Sequence, residues 1–505
     1  MKQVEWGRRI ASMLAALILL VGAACVTHAE DLSRIVVFRD GTSQQAQQDA
    51  VERSGSRVRN VLSLINGLAI DLPADRAAEA LASLQAEPSV EGVYLDPTIA
   101  AQGEATVSAQ GEGADGEGAD GEGADGEGAD LVIYINPVPA PPAEVYPWGL
   151  DAIGVPDTHA RWPGFQGAGV TVAILDTGID TTHPELQKNI SGGVNARGDE
   201  NQRDYRDLNG HGTHMAGIIA AALNRWGVVG AAPRARIYAV RVLDKNGGGK
   251  LSDLISGMGW VASRSDIRLV NMSLGFPGEL VEEGSLKLLE QAVTALFKKG
   301  LIMVAAVGNR NPRVGAEGAD GEGADTTCTR VALDEGAAGE GADGEGADGE
   351  GADSGAFCYR TTSVKYPAAF PQVIAVGATD IHNRVTPYTR SSDEIATHSV
   401  LAPGGDKTNG RILSTTKGGA FGEGSGTSQA TAHVTGALAL ALQVRPDLSF
   451  QEALALLYET ANTPSDLPEW WKGGGSPDAE RMMKTFQTTI WKDDGGKNEK
   501  KDGKK

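Results

Sequence analysis

Five short, almost unbroken apolar runs constrain this chain more than any other feature. They read "VTVAILD" at 170–176, "RIYAVRVL" at 236–243, "LVNMSLG" at 269–275, "LIMVAAVGN" at 301–309 and "VIAVGATD" at 373–380. A strand with one wet face alternates polar and apolar residues. A strand that is apolar throughout is buried on both faces, as in a parallel sheet covered by helices. Between the runs lie stretches that supply such helices, "MAGIIAAAL", "LSDLISGMGWVASRS" and "GSLKLLEQAVTALFKKG". The expectation is an α/β domain with a mainly parallel sheet over residues 145–465, with "SFQEALALLYETA" as a late helix.

Ahead of it, residues 34–97 read as a separate small unit. "IVVFRD", the two runs around Asn66-Gly67 in "VRNVLSLINGLAIDLP", and "VEGVYL" are strands; "SQQAQQDAVERSG" and "DRAAEALASLQAE" are helices. The β-α-β-β-α-β order is that of a ferredoxin-like α+β unit, placed within residues 30–100. So short a stretch builds a marginal core and gains from a partner surface. Residues 101–144 form a linker with a proline-rich end, "NPVPAPPAEVYP". Residues 466–505 are a C-terminal extension ending in the charged "KDDGGKNEKKDGKK", which has nothing to bury.

The formal charge of −21 comes mostly from one repeat. Each perfect GEGAD copy carries −2, and eight copies (four at 111–130, one at 321–325, three at 339–353) account for −16, leaving −5 for the rest. The acidity therefore does not describe the folded surface, and no nucleic-acid partner is implied. A calcium-binding or adhesive array is the rival reading. Calcium-binding repeats of period nine carry a recurring large apolar residue, whereas GEGAD has period five and only alanine to bury. Such a segment cannot offset its ordering entropy, so the copies are read as disordered inserts in the linker and at 311–356.

The N-terminus is laid out as a secretory signal peptide, residues 1–29: Lys2, Arg8 and Arg9, then "MLAALILLVGAA", then "THA" ending at Ala29. Gly22 stands where a lipid-attachment signal at Cys25 has an aliphatic residue, so cleavage is expected, not anchoring. No other run reaches the roughly 18 to 20 apolar residues that span a bilayer. A secreted protein, extracellular or periplasmic, is expected. In that setting Cys328 and Cys358 are expected to form a disulfide.

Four polar positions sit where a parallel sheet forms sites, beyond strand carboxyl ends or at helix starts. Asp176 closes "VTVAILD"; an aspartic-protease reading of "DTG" requires a second such carboxylate, and the chain has no other DTG or DSG. His211 and His214 in "NGHGTHMAGIIAAAL" have a His-x-x-His spacing, but zinc needs a third ligand and none is nearby. Ser428 in "GSGTSQATAHVTGALALAL" lies at the positive end of an Ala-rich helix, and Asn309 follows a buried strand through a glycine. Separately these are an ordinary turn residue, core histidine, helix cap and turn.

Together, in the order Asp, His, Asn, Ser, they make the chain resemble the subtilisin-like serine proteases, a family of Asp-His-Ser triad enzymes. The resemblance runs over about 145–462 through "DTGIDTTHPEL", "NGHGTHMAG", "NMSLG", "GN" and "GTSQATAHVTG", and residues 34–97 look like the family's propeptide. It implies an endopeptidase made as a self-processing zymogen, with its own propeptide as inhibitor and proteins or peptides as substrates. Ser428 would be the nucleophile, His211 the general base and Asp176 its orienting partner, with Asn309 in the oxyanion hole. Ser273, Leu274 and Gly275 would pair with the substrate backbone by strand addition. A monomer is expected, and no cofactor is required for the chemistry. The family's structural calcium is left open, because Glu185 stands for the usual Asp and "LNRWGVV" is a residue short. Gln429 and Ala432 also depart from the usual Met and Pro.

Overall fold

The computed structural model describes residues 32–101, 135–198, 201–278, 281–310, 329–331, 357–359 and 364–487. The expected signal peptide, the GEGAD copies and Cys328 lie outside the described residues, as does the side chain of Cys358. The chain divides into two compact units, 1–61 with 66–96, and 62–65 with 97–505.

The smaller unit contains β1 (Ser33–Phe38), α1 (Gln44–Arg53), β2 (Arg57–Leu62), β3 (Gly67–Asp71), α2 (Ala77–Ala86) and β4 (Val90–Leu95). The sheet order is β2-β3-β1-β4, with β1 antiparallel to both β3 and β4. This is the anticipated α+β order. Asn66 turns the chain at φ 50°, and its Nδ2 donates to the Phe38 carbonyl at 2.7 Å. Val36, Phe38, Val51, Leu68, Ile70 and Leu84 fill the core.

In the larger unit, β5 (Thr98–Ala101) and β6 (Asn136–Val138) come first, then α3 (Trp148–Ala152) and α4 (Val155–Arg161). There follow β7 (Thr171–Asp176), β8 (Ile190–Asn195), α5 (His211–Ala220), β9 (Arg236–Arg241), β10 (Gly248–Lys250) and α6 (Leu251–Ala262). Next are β11 (Leu269–Met272), β12 (Leu274–Gly275), α7 (Glu283–Lys298), β13 (Ile302–Ala306), β14 (Thr329–Val331) and β15 (Phe357–Tyr359). The last elements are β16 (Ile374–Thr379), β17 (Ser399–Pro403), β18 (Ile412–Thr416), β19 (Ala420–Gly424), α8 (Thr427–Val444) and α9 (Phe450–Thr460).

The central sheet is β17-β16-β13-β11-β7-β9-β8, parallel at each pairing. The five apolar runs supply β7, β9, β11, β13 and β16, and every residue of β7, β11, β13 and β16 is buried. Helices α5 and α8 pack together and on the sheet, while α6 packs against α7 and onto β7 and β8. The result is a three-layer α/β fold. Helix α8 is buried without a break from Thr427 to Leu442, which explains its Ala, Gly and Leu composition.

Strand order reverses at β7: β9 and β8 lie on one side, β11, β13, β16 and β17 on the other. Such a reversal opens a crevice beyond the strand carboxyl ends. Two smaller sheets, β10-β5-β12 and β18-β19-β6, use the two segments that precede the central sheet. The packed core also continues beyond residue 465. Residues 479–487 are helical, and Ala479, Met482, Met483 and Phe486 join the main apolar cluster.

Candidate active site

Asp176 is the last residue of β7, the strand at which the sheet order reverses, and His211 is the first of α5. His211 Nδ1 lies 2.8 Å from Asp176 Oδ1, and both side chains are fully buried. Oδ1 also accepts from the Thr177 N–H at 2.7 Å. An ionised carboxylate can only accept, so Nδ1 carries the hydrogen and Nε2 is left as the acceptor. Nε2 is buried with no hydrogen-bond partner. An imidazole in that state can take a proton at Nε2 and hold the resulting charge against Asp176.

The α5 start is fixed by Asp207, which the sequence reading missed. Its Oδ1 accepts from Thr177 Oγ1 (2.9 Å) and from the Asn209 (2.9 Å) and Gly210 (2.8 Å) N–H groups. Its Oδ2 accepts from the Thr213 N–H (2.9 Å) and hydroxyl (2.6 Å). A carboxylate there satisfies helix-start N–H groups and complements the positive helix end. The available signal was an Asp four residues before His211 in "DLNGHG". His214 belongs to the core: its Nε2 donates to the Ile412 and Gly422 carbonyls, each at 3.2 Å. Burial, then the neighbouring His211, pushes it down to about 3, so it is neutral. Among the described residues no cluster of three metal-ligating side chains exists.

Ser428 is the second residue of α8, fully buried, and its hydroxyl donates to the Ser273 carbonyl at 3.1 Å. Ser273 Oγ in turn donates to the Ser428 carbonyl at 3.0 Å and accepts from Asn271 Nδ2 at 3.1 Å. Asn309 lies three residues beyond β13. Its Oδ1 accepts from the Thr427 N–H (3.0 Å) and hydroxyl (2.9 Å), which settles the orientation of the amide. Nδ2 is consequently a buried donor, and it has no partner. A buried donor beside a hydroxyl at a helix start suits an oxygen that gains negative charge during reaction.

Of the expected edge residues, Leu274 and Gly275 form β12 and pair antiparallel with Ala101 and Ala100 of the chain's own β5. The opposite wall, β10, pairs Gly248, Gly249 and Lys250 with Ala100, Ile99 and Thr98, and Gly247 O accepts from the Ala101 N–H at 3.0 Å. This second wall was also missed; its signal was "NGGGK", since adjacent glycines admit close backbone approach.

The parallel α/β fold and the buried Asp176–His211 pair accord with a serine endopeptidase of that architecture. The chain belongs to the subtilase family, whose model matches residues 167–482. Over 319 residues it is 34% identical to Subtilisin E of Bacillus subtilis (strain 168), covering 63% of this chain and 67% of that protein. It is 35% identical over 321 residues to Subtilisin BL of Lederbergia lenta, covering 64% and 93%. It is also 34% identical over 310 residues to an intracellular serine protease of Paenibacillus polymyxa, covering 61% and 76%.

Proposed function

We propose that this serine endopeptidase is exported as a zymogen that cuts itself after the N-terminal unit. Ser428 attacks the scissile carbonyl, and His211 takes the hydroxyl proton and later delivers it to the leaving amine. Asp176 holds the imidazole tautomer and stabilises the imidazolium. Asn309 Nδ2 and the Ser428 N–H receive the oxyanion. Ser428 Oγ turns from the Ser273 carbonyl to His211 Nε2 when substrate binds, since catalytic hydrogen bonds commonly tighten only in the complex.

The observation that carries the zymogen reading is β5. Directly after the small unit, the chain runs as a strand between β10 and β12, antiparallel to Leu274–Gly275, with Ala101 nearest Ser273. That is the placement of the acyl half of a bound peptide. The cut is therefore expected shortly after Ala101. Ser428→Ala should accumulate as full-length precursor, while the parent yields a mature band whose N-terminus begins beyond residue 101 and which digests casein. Normal maturation of Ser428→Ala in a protease-free host sinks the self-processing reading. Cutting at 101 would separate the unit at 30–100 from the peptidase domain.

Two neighbouring carboxylates supply part of what a structural calcium site needs. Glu185 Oε1 is buried and unpaired, its Oε2 accepts from Asn224 Nδ2 at 3.0 Å, and Glu144 adjoins it, accepting from the Arg225 N–H at 2.6 Å. Burial pushes Glu185 up to about 7, and Glu144 adds to this. Glu185 and Glu144 would hold the ion, a hard cation suited to carboxylate oxygens, which would neutralise the pair.

A further inference from the structure

Strands β5 and β6 lie on opposite sides of Ser428 and run in a consistent sense. Ala101 stands opposite Leu274, next to Ser273, and Ala100 opposite Gly275, so β5 numbers rise toward Ser428, whose hydroxyl meets the Ser273 carbonyl. Strand β19 leads through Ser425 and Gly426 into α8 and Ser428. Its partner β6 is antiparallel, with Asn136 opposite Glu423, Pro137 opposite Gly422 and Val138 opposite Phe421. Numbers in β6 therefore rise away from Ser428. A peptide that approaches Ser428 in the sense of β5 departs in the sense of β6, which puts β6 in the leaving-group half of the cleft.

Side chains hold this segment as well as strand pairing. Val138 packs on the apolar cluster of Ala221, Val228 and Phe421. At the inner end, a Cβ built on Gly424 would lie 2.8 Å from Ile135 Cδ1, so Ile135 fills space that a glycine at 424 leaves open. The root of the segment is pinned too: Val145 bridges Val228, and Glu144 accepts from the Asn224 and Arg225 N–H groups. Residues 102–135 separate β5 from β6 in sequence, far more chain than a peptide needs to cross one nucleophile. Each strand thus occupies its own half of the cleft. A cut shortly after Ala101 frees β5 with the small unit, whereas β6 stays joined to the peptidase domain through Val145.

We propose that residues 135–138 are a strap that outlasts the first cut and shortens the leaving-group half of the cleft, so that the strapped enzyme prefers bonds near the C-terminal end of a peptide. The inference rests on the reading of Ser428 as nucleophile and of β5 as the acyl half. Only Ser425, Gly426 and Thr427 separate Gly424 from Ser428, which leaves room for roughly two extended residues before Ile135. A longer leaving group must lift β6 from β19 and Val138 from its cluster. Tethering sustains that competition, since a covalently attached segment acts at an effective concentration on the order of millimolar. Pro137 has no N–H to give the ladder, which keeps the strap displaceable.

The test uses the full chain with a site for an added protease placed within residues 111–130, so that β5 is released whether or not the chain cuts itself. Mass spectrometry selects enzyme that retains residues 135–138. Two amidated peptides share the chain's own residues 97–102 ahead of the bond and carry two or six residues after it. The strapped enzyme should cleave the shorter one about tenfold better in kcat/KM, the scale of one or two net strand hydrogen bonds. Val138→Asp, which sets a charge against the apolar cluster, should raise kcat/KM on the longer peptide and bring the ratio to about one. Deletion of residues 135–138 serves if that variant folds poorly. A strapped parent that treats both peptides alike, or a ratio kept in both variants, overturns the proposal. The underlying readings fail separately: a chain without the added site that never matures refutes self-cutting, and hydrolysis of the shorter peptide by Ser428→Ala refutes the nucleophile reading, whatever the ratio.

Discussion

Gly212 lies between His211 and Thr213 in the first turn of α5, and replacing it with alanine sets two effects against each other. Within a helix, alanine is favoured over glycine by up to about 1 kcal/mol. Against this, a Cβ at 212 would stand 2.1 Å from the Gly178 carbonyl oxygen and 3.1 Å from Asp176 Oδ1. A Cβ essentially never comes within 3.0 Å of another heavy atom, so one backbone segment must retreat by about 1 Å. The Gly178 loop is hemmed in: a Cβ there, at φ 103°, would meet the Tyr205 oxygen at 2.5 Å and the Arg206 oxygen at 2.8 Å. The start of α5 is the part that moves, and it carries His211 away from the 2.8 Å contact with Asp176. Overpacking of this kind costs about 1–3 kcal/mol and the helical gain offsets about 1 kcal/mol of it, so stability should fall by no more than about 2 kcal/mol. A displacement of about 1 Å in a catalytic group costs on the order of a hundredfold in rate. Gly212→Ala should therefore lose about a hundredfold in kcat on a chromogenic peptide with KM little changed. Its unfolding free energy, measured in a Ser428→Ala background to exclude autolysis, should fall by no more than about 2 kcal/mol. A kcat within about threefold of the parent would refute the reasoning.

Two more outcomes are expected. Asp207→Asn offers one acceptor where the carboxylate oxygens take five hydrogen bonds, and it should cost roughly 3 kcal/mol in denaturant unfolding with a fall in kcat at steady KM; unaltered unfolding contradicts the anchoring role. Glu185 holds its proton more tightly folded, to about 7, than unfolded, so its contribution to stability declines as pH rises from about 5 to about 8. Glu185→Gln should flatten that part of the stability–pH curve, and added calcium should raise the parent's unfolding midpoint more at the upper end than the lower; parallel curves for parent and variant remove the argument.

The sequence determined the parts whose information is local. Strands buried on both faces must be apolar throughout, so the runs ending at Asp176 and reaching Asn309 announced β7 and β13 before any pairing was known. Glycines and small residues around His211 and Ser428 marked buried helix starts, and the order of the four polar residues was legible because each stands at the end of such an element. Tertiary structure decided what depends on neighbours distant in sequence. "TIAA" and "NPV" lack strand periodicity, and β5 and β6 exist because the edges of β10, β12 and β19 supply their hydrogen bonds. Met482 and Phe486 lie in the stretch set apart as a C-terminal extension, and they join the main core. Asp207 gained its role when Thr177, distant in sequence, joined its near neighbours Asn209, Gly210 and Thr213 as donors. Burial and hydrogen-bond satisfaction belong to the folded surroundings of a residue; periodicity and residue type do not contain them.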